Sequence, residues 1–259
     1  MTRIKLLSAN LARFSTITGT APASGFPLAR LTDDRISAYW ASTGSSATLT
    51  CTFPGARTFD TISLPVSTLK TGSTLTVAGQ TKTLAALTVD RNADLLPNTG
   101  DMFAYGAGRS ITLHLSAPIT ASSVSIALAA ASGTISAPFL VVGQSWSPSR
   151  NFALQATIGV RSASALSDSE AGDSLCDVRF SRKTFTFDVS AFTDAERAEL
   201  FNYLLQNAVN HPILISGFPD HTDPSRENDF TIYGRLSPES QQKIIHCAKF
   251  TNTITVNSI

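Results

Sequence analysis

The chain has 259 residues, room for one large β domain or two of ordinary size, and 42% apolar against 15% charged residues excludes a disordered chain. A net charge of +1 removes any global electrostatic case for nucleic acid or an anionic membrane as partner. So low a charged fraction leaves solubility to Ser, Thr and Asn, or leaves part of the surface to be covered by partners, and the second reading ranks slightly ahead.

The first 140 residues are dense in Thr, Ser, Val, Ile and Leu, and several runs alternate with a period of two. Thr74–Val77, Ile111–Leu115 and Val124–Leu128 each read as a strand with one face in a core. Turn signals punctuate them at Phe53-Pro54-Gly55, Lys70-Thr71-Gly72, Leu96-Pro97-Asn98-Thr99-Gly100 and Ala117-Pro118. Many short strands without a long helix predict a β-sandwich. Ala137–Gly143 reads as its last strand, and the irregular Trp146-Ser147-Pro148-Ser149-Arg150 follows. The spacing therefore predicts two domains, 1–142 and 143–259. Residues 1–140 carry ten Lys/Arg against six Asp and no Glu, whereas 141–259 carry ten against thirteen acids. Opposite signs fit two domains and ordered contacts between copies; chance drift of surface charge accounts for them about as well.

In the second half, Ser162 to Asp173 is rich in Ser, Ala, Asp and Gly and predicts a flexible loop or a hairpin arm. Thr184–Val189 alternates as a strand. Thr193-Asp194-Ala195-Glu196 is a capping box that opens a helix at about 194–209, with Ala198, Phe201, Leu204, Leu205 and Ala208 as its apolar stripe and His211-Pro212 as its stop. Ile213–Phe218 reads as a buried strand, and Phe250–Val256 alternates again. The fold class is thus mainly β: an N-terminal sandwich followed by a smaller α+β unit around one main helix.

The sequence holds no GxSxG elbow, HExxH pair, phosphate loop or dinucleotide fingerprint, which points away from an enzyme and from any cofactor. Cys51, Cys176 and Cys247 are odd in number and widely spaced, so small buried hydrophobes in a reducing compartment are expected rather than disulfides or a zinc site. His114 alternates with Leu113 and Leu115, predicting solvent or a polar contact. His246 and Cys247 are neighbours on a strand and point to opposite faces, so a thiol–imidazole pair is not expected. No apolar run suits a signal peptide or a membrane span, so folding in a cytoplasm without membrane insertion is expected.

Two polar clusters remain. Asp220, His221, Asp223, Arg226, Glu227 and Asp229 crowd one segment. Its spacing lacks the ligand alternation and turn glycine of a calcium loop, so no metal is expected; a solvated loop, or one gripping a neighbouring subunit, is the better reading. Asp33, Asp34 and Arg35, preceding Tyr39-Trp40, could form a rim with carboxylates for sugar hydroxyls and a ring for stacking. Alternatively Trp40 is core and Asp33-Asp34 a turn. Packing is favoured, because one Trp flanked by Tyr and Ala more often fills a core.

The stretch Phe26–Arg35, with Trp40-Ala41-Ser42 and Phe59-Asp60-Thr61-Ile62-Ser63-Leu64-Pro65, resembles discoidin-like, galactose-binding-type sandwiches, a jelly-roll class. Their pattern “xxLxDGDxxTxW” is followed by an “xTIxLP” run. This chain departs from it at Asp34, where glycine is usual. The second half is similar to the C-terminal part of long-tailed phage tail proteins in the order of Trp146–Asn151, Arg182–Phe187, Thr193–Glu196, Pro212–Ile215 and Thr231–Leu236. The resemblance implies a non-enzymatic tail-tip, distal-tail or baseplate component of the virion. Such a protein forms a homo-oligomeric ring or collar, a hexamer or trimer, contacts other phage tail proteins and joins tail tube to tip or fibres. In that setting the 162–173 and 220–229 segments would be buried by neighbouring subunits. The alternative is a carbohydrate- or receptor-binding module on the virion, with host surface glycan as partner. A glycan hydrolase would need a carboxylate pair across a cleft, and a first half with six Asp and no Glu argues against it.

Overall fold

Two 19-residue strands, β4 (Ser46–Leu64) and β7 (Ile111–Ala129), organise the first unit of this computed structural model. They pair antiparallel from Ser46↔Ala129 to Leu64↔Ile111, with register breaks between Thr52 and Arg57 and between Phe59 and Thr61. The turns expected at Phe53-Pro54-Gly55 and Ala117-Pro118 are corrected by this finding, since each proline falls inside one of the two breaks. Proline has no N–H to give the ladder, so it is tolerated where pairing is interrupted, and the strand continues beyond it.

β2 (Thr16–Gly19) pairs with the first half of β4 and β9 (Val141–Gly143) with its second half. Beyond β7 lie β5 (Thr74–Val77) and β6 (Gln80–Thr83). They are joined by Ala78 and Gly79 at φ 50° and 77°, the left-handed pair that a two-residue hairpin of matching twist requires. Leu49, Cys51, Phe59, Ile62, Leu75, Ile111, Ile126 and Leu128 form the core. A short ladder of β3 (Trp40–Ala41) with β8 (Ser136–Ala137) brings Trp40 into it. The chain is mainly β, as its periodicity predicts.

The structure describes residues 3–88, 108–152, 156–162, 165–168, 173–177, 181–190, 193–207, 211–237, 241–246 and 249–259. The turn expected at Leu96–Gly100 lies outside them, as does Cys247.

The second unit is a seven-stranded sheet in the order β1 (Lys5–Leu7), β14 (Ile213–Ser216), β15 (Thr231–Leu236), β17 (Lys249–Ser258), β13 (Ser181–Ser190) and β10 (Thr157–Ser162), with β16 (Gln241–His246) also on β17. Its first strand comes from the very start of the chain, so the sandwich is threaded between β1 and the rest of this sheet. Ile4, Leu6, Phe185, Phe187, Ile213, Ile215, Ile232, Ile254 and Val256 pack into one core. Gly234 lets β15 lie close on β17, because a Cβ there would collide with the backbone of Asn257. The described parts of the 162–173 region form an arm: β11 (Ala165–Asp168) pairs with β12 (Ser174–Asp177) as a separate two-stranded ribbon.

Helix α1 (Asp194–Asn207) starts on the expected capping box. The Thr193 backbone N–H donates to Glu196 at 3.0 Å, and the Glu196 N–H returns to the Thr193 hydroxyl at 3.3 Å. Of the expected apolar stripe, Ala198 is exposed and Phe201 is 43% exposed, while Leu200 is buried in the core; Ala208 and the side chains of Leu204 and Leu205 lie outside what the structure describes. The helix turns Leu200 into the core that also holds Phe185 and Phe187.

Candidate functional site

The two units meet across a third, small core. Leu7 from β1, Leu214 from β14 and Tyr233 from β15 pack against Phe139 and Val141 of the sandwich, with Ile36 and Ile259 at its edge. Successive residues on a strand point to opposite faces, so β14 buries Ile213 and Ile215 in its own core and Leu214 in this seam. Apolar faces on both sides explain why Ile213–Ser216 is a continuous buried run.

Polar groups brace the seam. Buried Asn10 donates to the Leu140 carbonyl at 2.9 Å and accepts from the Val142 N–H at 3.1 Å. The Asp34 carboxylate pairs with Arg13 at 2.6 Å and accepts from the Tyr233 hydroxyl at 3.2 Å. Burial, with the nearby Asp34 charge adding, pushes the Tyr233 phenol above its ordinary value. At the other end Lys82 donates to Asp220 at 2.9 Å and to Glu227 at 2.8 Å. Burial alone would lower the Lys82 ammonium; the hydrogen bonds to Glu227 and Asp220 outweigh it, and the net shift is upward. The Ser225 hydroxyl accepts from the Thr88 N–H, and the Asn228 amide oxygen accepts from the Ser110 N–H.

These contacts redistribute the residues singled out in sequence. Trp40 is fully buried and cannot stack on a ligand, which agrees with the favoured packing reading and takes the ring out of the alternative rim. Asp33 pairs with its neighbour Arg35 on the surface. Asp34 stands where the family pattern carries glycine, and its φ is 53°, the left-handed conformation that glycine accepts freely and aspartate tolerates better than most. Its carboxylate thereby pairs with Arg13 of the same unit and reaches across the seam to Tyr233. Asp220, at φ 52°, does the same towards Lys82.

The 220–229 segment is likewise corrected in its partner: Asp220 and Glu227 hold the chain's own sandwich. The segment is a short helix rather than a loop, α2 (Pro224–Asp229), capped by Asp223, whose carboxylate accepts from the Ser225 N–H at 3.0 Å. Arg226 lies 4.6 Å over the Phe218 ring. His221 accepts from the Asp223 N–H and meets the Phe218 ring edge-on. Asp229 ends α2, partly buried. Among the described residues no three His, Cys, Asp or Glu side chains gather as metal ligands.

His114 makes the expected polar contact, through Nδ1 with the Thr61 hydroxyl at 3.0 Å. Thr61 donates its proton to Asp60 at 2.8 Å, so Nδ1–H is the donor and Nε2 carries the lone pair. Nε2 is secluded without a hydrogen-bond partner. Burial lowers the His114 pKa to about 3, the Lys5 charge and then Lys82 adding and Asp220 opposing. Asp60 also accepts from the backbone N–H and the hydroxyl of Ser145, at 2.8 and 3.0 Å.

Ser145 leads to Trp146, which the sequence marked as irregular junction and as the start of the Trp146–Asn151 piece. Trp146 is tied to β1 by two backbone hydrogen bonds with Leu6, at 2.9 and 2.8 Å. Its indole N–H donates to Glu199 of α1 at 2.9 Å. Beside it opens a cleft of about 730 Å³ between β4, the junction and α1. Lone Lys and Asn residues carry no sequence pattern, so nothing in the sequence marks Lys82 or Asn10, and Trp146 is marked as junction without a role; the glycine position occupied by Asp34 is the one signal.

No protein-family model and no curated protein matches the chain. Several solved structures are similar to about half of it. The structure titled SpGH29 shares 14% identity over 53% of this chain and 28% of that chain, with a TM-score of 0.35. The Clostridium perfringens module CpGH89CBM32-4, in complex with GlcNAc-alpha-1,4-galactose, shares 18% identity over 52% of this chain and 94% of that one, with a TM-score of 0.34. A chitosan-binding module from a Paenibacillus sp. IK-5 chitosanase/glucanase shares 18% identity over 52% and 98%, with a TM-score of 0.36. This chain spans less than a third of the SpGH29 chain. At these TM-scores the likenesses carry no functional conclusion.

Proposed function

We propose that the chain is a non-enzymatic structural component that forms a homo-oligomer through the outer edge of its seven-stranded sheet, as a phage tail-tip or baseplate protein would. The observation that carries this reading is β10. It is the terminal strand of the sheet, and it exposes Ile158 to 41% and Val160 to 70%. An edge strand presents a row of backbone donors and acceptors, and apolar side chains along it favour pairing with another chain over solvation. The seam supports the same reading, because it holds the sandwich in one orientation on the sheet. The tail assignment rests on the order of motifs in the second half.

The mass of the purified protein, by light scattering and native mass spectrometry, tests the oligomer, with negative-stain images showing whether rings form. A Val160→Lys/Ile158→Lys variant is expected to be monomeric with an unchanged circular-dichroism spectrum. A monomeric wild type, or rings that survive both lysines, overturns the proposal. The alternative, a carbohydrate-binding module, would have to do without the Trp40 ring, which is core, and the Asp34 carboxylate, which pairs with Arg13 and Tyr233.

A further inference from the structure

We infer that the cleft beside Trp146 is a binding site for a neutral oligosaccharide, built jointly by the sandwich and the α+β unit. Its volume of about 730 Å³ falls within the range of small-ligand sites. Arg57 of β4, Gln144 and Trp146 of the junction, and Glu199 and Asn202 of α1 line it. Four of these side chains end in planar, two-atom groups: a guanidinium, two amides and a carboxylate. Together they offer donors and acceptors in pairs, the arrangement that adjacent sugar hydroxyls, each both donor and acceptor, can satisfy. One cationic and one anionic group leave the lining without net charge, which favours a neutral ligand over a phosphate or an acidic sugar.

The indole supplies the apolar component, for contact with the C–H face of a sugar ring. Trp146 is partly buried against the second core and oriented by Glu199. Its backbone is clamped to Leu6, and the preceding Ser145 is fixed by Asp60. The ring is therefore held in place before any ligand arrives, which lowers the entropy lost on binding. Glu196 adds to this rigidity by accepting from the Ser149 N–H at 2.6 Å, tying the start of α1 to the junction. The site exists only in the docked arrangement, since Arg57 belongs to the sandwich and Glu199 and Asn202 to the helix packed on the other sheet.

The test uses the full chain on a glycan array, followed by titration of neutral N-acetylhexosamine and hexose oligosaccharides with saturation-transfer NMR and tryptophan fluorescence as readouts. Trp40 is buried, so a fluorescence change reports on Trp146. Binding to neutral glycans is expected, weakened by about tenfold or more in Trp146→Ala and measurably in Arg57→Ala and Asn202→Ala. Arg57 and Asn202 are exposed, so these two variants fold even if the tryptophan variant does not. Absence of binding at millimolar oligosaccharide, preference for anionic glycans, or full affinity in an Arg57→Ala/Asn202→Ala double variant overturns the proposal. The oligomer is read separately by mass, so either conclusion can fail without the other.

Discussion

Replacing Lys82 by methionine should loosen the seam by a predictable amount. The Lys82 side chain is 22% exposed, Glu227 15% and Asp220 50%. Breaking a fully buried ion pair by removing one partner costs roughly 3–5 kcal/mol, and an exposed pair is worth about 0–1. The Lys82–Glu227 contact lies between these limits and the Asp220 contact near the lower one, so about 2 kcal/mol is expected for Lys82→Met. For a chain of this size that is a fall of about 4–8 °C in Tm. Much of the loss comes from Glu227, left charged and largely buried without a counter-ion, so Glu227→Gln in the same background should recover part of it. Calorimetry on the wild type, both single variants and the double closes the cycle, with a coupling of about 1–2 kcal/mol. A coupling below about 0.5 kcal/mol would mean that solvent screens the pair and that the apolar seam alone holds the units together.

Stability should fall in mild acid because of His114. Its folded pKa, about 3, lies below the ordinary 6.5, so the unfolded chain binds the extra proton between these values. The stabilisation is whole above about pH 6.5 and declines towards pH 3, by at most about 1.4 kcal/mol per unit. Glu196, whose pKa the Thr193 backbone hydrogen bond and then Ser149 lower to about 2 against burial, adds its own loss only below about pH 4.5. Urea midpoints between pH 6.5 and 5 should therefore slope less in His114→Gln; parallel slopes would refute the assignment. Gly234→Ala should destabilise the second unit by about 1–3 kcal/mol, since β15 must move off the Asn257 backbone. Hydrogen exchange in β15 and β17 is the readout, and unchanged protection there would show that the strands yield easily.

The sequence by itself determined the elements whose cause is local. Period-two alternation set β5 and β13, and Thr193 with Glu196 set the start of α1, because a pleated strand and a capped helix are each fixed by residues within a few positions of one another. The tertiary structure decided what depends on distant partners. It made Pro54 and Pro118 parts of interrupted long strands, because β4 and β7 pair across them. It placed Lys5–Leu7 in the second sheet, because a three-residue strand has no periodicity to announce where it pairs. It put Trp40 in the core and Trp146 beside a cleft, a difference of neighbours that the residue type does not record. It also turned two acidic clusters into braces of the seam, since the left-handed turns at Asp34 and Asp220 gain their cross-unit partners, Tyr233 and Lys82, only when the two units are docked.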